Sequence, residues 1–203
     1  MTWLGRKATI GGMAAILEPK PVKLICGLLC ADKALLERMQ RRLSEEFGPI
    51  DVVADIQPFD FTHYYDDEMG PGLYRGFVAF ERLIDPQRLA EIKIKTNELE
   101  EQCARGVREG GESWAVAAPS PARPVNLDPG YLAPSKLILA SMKDFSHRIY
   151  MRGGVYAEIT LQYRNGWRTL PWTFPDYGSG RYDDFFTRAR EALRRQERKE
   201  GSA

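Results

Sequence analysis

The run Val22–Cys30, V-K-L-I-C-G-L-L-C, restricts the fold more than any other stretch of this chain. It is almost without polar interruption and too short for a buried helix of ordinary length. It suits a strand whose two faces both meet apolar neighbours. Such a strand lies inside a sheet, so the remaining chain must supply strands at its edges and layers over its faces. Gly27, in its middle, predicts a close approach by another group.

The flanking pattern predicts how those layers arise. Asp32 is a helix N-cap, and Leu35, Leu36, Met39, Leu43 and Phe47 follow at helical spacing until Gly48-Pro49. Ile50–Ile56 alternates like a half-exposed strand, and Thr62–Gly72 is a loop rich in tyrosine and acid. Leu73–Ile84 is the next strand. Asp85-Pro86 then opens a helix with Leu89, Ile92, Leu99 and Cys103 on its buried stripe. Residues 106–124 read as a connection, and Arg123–Leu127 as a short fourth strand. This order predicts an α+β fold, a ferredoxin-like βαββαβ core. The extension read after it is a short helix from Pro134, a three-stranded antiparallel meander (His147–Arg152, Val155–Tyr163, Trp167–Thr173) and a C-terminal helix over Tyr182–Arg195. Gly153-Gly154 and Asn165-Gly166 are its two-residue turns.

Residues 1–20 read as a frayed tail, 21–197 as one domain with a flexible insertion at 106–122, and 198–203 as a second tail. Arg6-Lys7 before Ala8–Leu17 has the start of a signal peptide, but two glycines and the missing small-residue cleavage site argue against one. The balance of 29 Lys+Arg against 28 Asp+Glu exerts no bulk pull toward nucleic acid or an anionic membrane. No apolar run reaches the ~20 residues that span a bilayer. Cys26 and Cys30 lie roughly 13 Å apart on a strand at about 3.3 Å per residue, too far to bridge. Free buried thiols, including Cys103, point to a reducing cytoplasm.

Chemistry-bearing residues concentrate in two places. Val125–Tyr150 carries Asn126, Asp128, Tyr131, Lys136, Lys143, His147 and Arg148. Its N-L-D-P-G reads as a turn, with Asp128 as a metal ligand and Lys136 beside a helix start facing an anion. The turn residues place Ile149 opposite Glu158, Leu161 opposite Leu170 and Ile159 opposite Trp172. Val155, Ala157, Ile159, Leu161, Leu170 and Trp172 then face the core. His147, Tyr156, Glu158 and Thr160 form a polar face, where His147 is a candidate general acid–base oriented by Glu158. The second concentration is Phe59–Gly72. There Asp60 and Glu68, with Asp66 and Asp67, are candidate oxygen ligands for Mg²⁺, and Tyr64 and Tyr65 candidate stacking partners for a ring. In a plain ferredoxin-like fold the loop holding residues 60–68 and the exit of the fourth strand lie at opposite ends, so the two sets are expected apart. The arginines of the last helix are interspersed with Glu191 and Glu197, as on a solvated face.

Several stretches, among them F-G-P-I-D, P-F-D-F-T-H-Y-Y-D-D-E-M-G-P-G-L, V-N-L-D-P-G-Y-L, K-D-F-S-H-R-I-Y and P-W-T-F-P-D-Y, resemble a bacterial family catalogued only as a domain of unknown function. The resemblance covers about Pro21 to Ala192 and implies uncharacterised activity, with no site residues to carry over. Similar proteins are sometimes labelled GTP-binding. The chain lacks G-x-x-x-x-G-K-[ST], G-x-G-x-x-G and G-x-S-x-G, which removes P-loop, dinucleotide-fold and hydrolase-elbow chemistry.

Three functions fit this reading. The leading one is binding, with hydrolysis or transfer as its extension, of a nucleotide or other phosphorylated small molecule, with Mg²⁺ as candidate cofactor. Asn126, Lys136, Arg148, Tyr64, Tyr65 and Tyr131 would hold the ligand, and His147 and Glu158 would catalyse. The second is a protein-interaction module anchored by Tyr64, Tyr65, Trp172, Phe174 and Tyr177. The third, RNA binding, rests on fold analogy and the basic tail.

Overall fold

The structure, a computed structural model, describes residues 9–10, 13–14, 16–109 and 121–200. Two short strands, β1 (Thr9–Ile10) and β2 (Met13–Ala14), pair with each other inside the segment read as a tail. The apolar run forms β3 (Val22–Cys30), with every residue buried. Asp32 caps α1 (Lys33–Phe47) by accepting from the Leu35 N–H, and Gly48 ends it at φ 101°. Next come β4 (Ile50–Val53), β5 (Gln57–Pro58), the single turn α2 (Asp66–Met69) and β6 (Tyr74–Ile84). Asp85 caps a 3₁₀ turn over Pro86–Arg88 that leads into α3 (Leu89–Arg108).

Helix α3 runs past residue 106, where a loop is predicted, because Cys103 and Val107 prolong its buried stripe one further turn. Residues 110–120 of the expected insertion lie outside the described residues. The chain resumes as β7 (Val125–Ala133), β8 (Lys136–Ser141), β9 (Ile149–Arg152), β10 (Val155–Tyr163) and β11 (Trp167–Thr169), then α4 (Pro175–Gly178) and α5 (Asp183–Glu200).

The main sheet is antiparallel throughout, in the order β11–β10–β8–β7–β3–β6–β4, with β5 on β6 and β9 on β10. Tyr156 pairs with Ser141 on one side and Tyr150 on the other, and Leu161 with Leu137 and Thr169. So β9 and β11 share the outer edge of β10, and β8 takes the inner one. The predicted extension thus continues the one sheet, with β8 between it and β7. Pro134-Ser135 is a tight turn between β7 and β8, where a helix is predicted. A helix start at Pro134 and a strand after a Pro-Ser turn share local signals, and the pairing of Leu137 and Leu139 with β10 favours the strand.

One face of β3 sets Leu24, Cys26, Leu28 and Cys30 beneath α1 and α3. On the other, Ile25 joins Phe77 and Ala79 of β6 beneath Tyr177 of α4 and Phe185 and Phe186 of α5. Phe77 is the hub of this second layer: its ring centroid lies 4.8–5.5 Å from Tyr177, Tyr182, Phe185 and Phe186. The close approach predicted at Gly27 is made by the Tyr177 hydroxyl and the Phe77 ring, both 3.0 Å from where a Cβ would stand.

Three register expectations fail: Trp172 lies beyond the end of β11 and is not paired with Ile159, and two other pairings are shifted. Ile149 opposes Ala157 rather than Glu158, and Leu161 opposes Thr169 rather than Leu170. The first slips at an irregularity between Val155 and Tyr156. The second arises because Arg164–Gly166 turns over three residues, with Asn165 at φ 54°. A bulge at Thr160 turns Leu161 to the α5 side, away from Val155, Ala157 and Ile159. Trp172, expected in the core, is 37% exposed, and its indole N–H donates to the Ile159 carbonyl at 2.9 Å.

Candidate functional site

Strand β7 is paired unevenly. β3 covers it from Val125 to Leu132, but β8 meets only Gly130–Ala133. The first half of β7 therefore has one free edge. Leu127 turns both backbone groups toward it: the N–H donates to Glu100 Oε1 and the carbonyl accepts from Lys93 Nζ, each at 2.8 Å. By the two-residue period, Pro129 presents the same edge and has no N–H to leave unsatisfied. At Gly130 a Cβ would fall 2.3 Å from the Ile138 carbonyl oxygen. The two strands are thus pressed together at Gly130 and separate toward Asn126 and Ser141.

A cavity of about 840 Å³ opens at this fork. Asn126 and Asp128 line it from β7, Leu139, Ala140 and Ser141 from β8, Arg75 from β6, and Lys93, Asn97 and Glu100 from α3. Its floor is a chain of charge-assisted hydrogen bonds. Arg75, almost wholly buried, donates through Nη1 to Asp128 Oδ2 at 2.9 Å and through Nε and Nη2 to Asp176 Oδ2 at 3.1 and 2.8 Å. Asn126 Nδ2 also donates to Asp128 Oδ2 at 2.9 Å, while its carbonyl oxygen accepts from Arg123. Arg123 Nη2 reaches Glu100 at 2.9 Å.

Burial raises Asp128, but the Arg75 guanidinium and then the Lys93 ammonium outweigh it and leave the carboxyl below its ordinary value. Glu100 goes the other way, since burial there exceeds the pull of Lys93 and Arg123. Burial, helped by the Asp128 charge, pushes the Tyr65 hydroxyl up to about 12, which keeps it a neutral donor.

The outer wall comes from the segment between β8 and β9. Arg148 donates from Nε to Glu158 Oε2 at 2.7 Å and from Nη1 to Ser141 Oγ and the Lys143 carbonyl. Glu158 is buried, and its Oε1 accepts from Thr160 at 3.3 Å. His147 Nε2 lies 3.0 Å from Glu158 Oε2, and its ring stacks on Trp172 with centroids 5.1 Å apart and planes at 8°. The polar face read from the sequence thus forms, but it is buried at Glu158 and Thr160 rather than wet. Phe59, Phe61, Tyr64 and Tyr65 close the remaining side, and Lys143 Nζ donates to the Tyr64 hydroxyl at 3.1 Å.

The predicted residues divide. Asn126, Asp128, Arg148, Glu158, Tyr64 and Tyr65 line the one cavity, and His147 bonds to its wall. The expected separation of the two concentrations is overturned. β6 and β7 both begin opposite Cys30, so Asn126 and Asp128, in the first half of β7, lie at the same end as the aromatic loop. Read as a turn, N-L-D-P-G ends the short fourth strand and puts Asp128 at its exit. Tyr131 and Lys136 do lie at the far end, Tyr131 against Ile138 and Lys136 beside the tight turn, and neither reaches the cavity.

The expected Mg²⁺ ligands do not gather. Asp60 is bound by Arg181 at 2.8 Å, Glu68 faces Arg123 at 3.6 Å, and Asp128 is held by Arg75. Among the described residues no group of three or more His, Cys, Asp or Glu is placed to hold a metal ion. Tyr177, read as a docking anchor, is buried. The basic helix spends Arg188, Arg190 and Arg194 on contacts within the protein.

Sequence reasoning missed Arg75, Lys93, Glu100 and Asp176. Two signals were available: a lone arginine early in an apolar strand, and a lysine and glutamate seven apart beside Ile92 and Leu99 on a helix's buried stripe.

These features define an α+β protein with a large antiparallel sheet, helices on both faces, and a charged, aromatic-walled cavity where two strands part. The chain belongs to the DUF4416 family, a domain of unknown function, whose model matches residues 20–193. No curated protein and no solved structure matches it. No helix among the described residues is long and apolar enough to cross a membrane.

Proposed function

We propose that the cavity binds a nucleotide or a similar ring-bearing phosphorylated small molecule. The observation that carries this reading is the meeting, in one space of about 840 Å³, of an aromatic wall and polar groups the fold leaves partly unused. Asp128 gives Oδ2 to Arg75 and Asn126, and no described group bonds its Oδ1. Arg148 Nη2 has no hydrogen bond to a described residue, and Lys143 Nζ has only the Tyr64 hydroxyl. The ring would stack on the tyrosines, Asp128 would accept from a sugar hydroxyl or base amino group, and Lys143 and Arg148 would meet phosphate.

Titration calorimetry of the full chain against adenine and guanine nucleotides, with and without Mg²⁺, tests this. Micromolar binding is expected with at least one, weakened about 10-fold by Asp128→Asn and by Lys143→Ala, as for loss of a hydrogen bond to a charged group. Absence of heat with every nucleotide overturns it.

The ferredoxin-like reading of β3–α1–β4–β6–α3–β7 belongs with this proposal and is supported by the strand order β7–β3–β6–β4. That fold type leaves one sheet face open. Here α4 and α5 cover part of that face, and the cavity lies beside them. A reducing compartment is supported by three buried free thiols, at Cys26, Cys30 and Cys103.

A further inference from the structure

A second, open concavity of about 640 Å³ adjoins the cavity. Phe145, Arg148 and Phe174 line both, while His147 and Trp172 line only the second. The imidazole is therefore bonded to the wall of the ligand cavity yet faces the space next door.

Its tautomer follows from its neighbour. Glu158 Oε2 already accepts an N–H from Arg148, so the group that meets it from His147 must also donate. In the neutral ring Nε2 then carries the hydrogen and Nδ1 the lone pair, and no described residue bonds to Nδ1. Stacking on Trp172 restrains the ring plane, and Glu158 fixes its rotation.

We propose that His147 is the general base of a phosphoanhydride hydrolysis, acting on water in the second concavity, with Glu158 as its positioning residue. This rests on the binding reading above, which brings the terminal phosphate against Arg148 in the shared wall. A water proton passes to Nδ1 as the water oxygen bonds to the terminal phosphorus. The bond from that phosphorus to its bridging oxygen breaks, and the bridging oxygen leaves as the anion of the nucleoside diphosphate. Orthophosphate is the second product, and the imidazolium returns its proton to solvent. Arg148 serves both partners: Nε holds the carboxylate that orients the base, and Nη2 is available to the phosphate.

The test follows orthophosphate release from ATP and GTP with Mg²⁺ by the full chain, alongside calorimetric binding. Wild type is expected to turn over one of them. His147→Gln should lower kcat about 100-fold, the usual range for a positioned base, and leave Kd within about two-fold. Glu158→Gln should lower kcat with KM unchanged and mix the His147 tautomers in ¹⁵N NMR. Binding without release sinks this inference and spares the binding reading, whereas neither binding nor release sinks both. Equal release by wild type and His147→Gln also overturns it. Should the variants fold poorly, an imidazole protonated at Nδ1 in the wild-type NMR spectrum overturns it alone.

Discussion

Arg75 donates to two carboxylates from a position almost out of solvent, and Asp128 feels that charge as a carboxyl held below its ordinary value of 3.8. A depressed folded-state value means that Asp128 contributes stability above pH 3.8, and that this contribution is lost as the pH falls below it. Glu100, raised above 4.5, behaves oppositely: it favours the fold below pH 4.5, and that contribution fades as the pH climbs. The two windows do not overlap, so urea unfolding at a series of pH values separates them. Asp128→Asn should lose less stability than wild type between pH 4 and pH 2. Parallel wild-type and variant curves there would show that the Arg75 pair does not couple to protonation. Arg75→Met should cost about 3–5 kcal/mol, because it strands the buried Asp176 carboxylate and removes the partner of the half-buried Asp128.

Strands β7 and β8 show why composition misleads at the level of an element. N-L-D-P-G has the residues of a turn, yet it runs straight through β7. Leu127 finds its missing ladder partners on α3, Pro129 needs none, and Gly130 admits the neighbouring backbone. Each turn-like residue thus serves the fork that opens the cavity. Gly130→Ala should destabilise by about 1–3 kcal/mol, as overpacking does, since a backbone oxygen at 2.3 Å cannot give way. Pro129→Ala should cost about 1–3 kcal/mol, because it brings a backbone N–H to a buried edge that offers it no ladder partner. The measurement is denaturant midpoint at constant m-value, and an unchanged Gly130→Ala midpoint would refute the close contact.

On the scale of the molecule, α5 decides what the sheet can do. Phe185, Phe186, Ala189 and Ala192 are buried against the face that carries Phe77. Phe186→Ala should cost about 3–5 kcal/mol, the range for emptying a buried phenylalanine site. Removing residues 180–203 should abolish cooperative unfolding and produce strong binding of a hydrophobic dye, since a large apolar face would be bared. A truncated chain that unfolds cooperatively would show that the layer under α1 and α3 folds without it.

Local chemistry was enough to read β3, α1, α3 and α5, because each is written as an apolar stripe with a cap or glycine at its end: Asp32 and Gly48 around α1, Asp85 before α3. The pairing of His147 with Glu158 was also legible in outline, since residues 153–154 turn tightly whatever surrounds them. Only the tertiary structure decided the rest. Whether N-L-D-P-G turns or extends depends on β3 alongside it. Whether Leu137 and Leu139 belong to a helix or a strand depends on β10. That Arg75 would be enclosed by Asp128 and Asp176, 53 and 101 residues away in sequence, depends on where distant strands lie. Caps and periodicities act over a few residues, whereas a buried charge is stable only among partners that the completed fold brings to it.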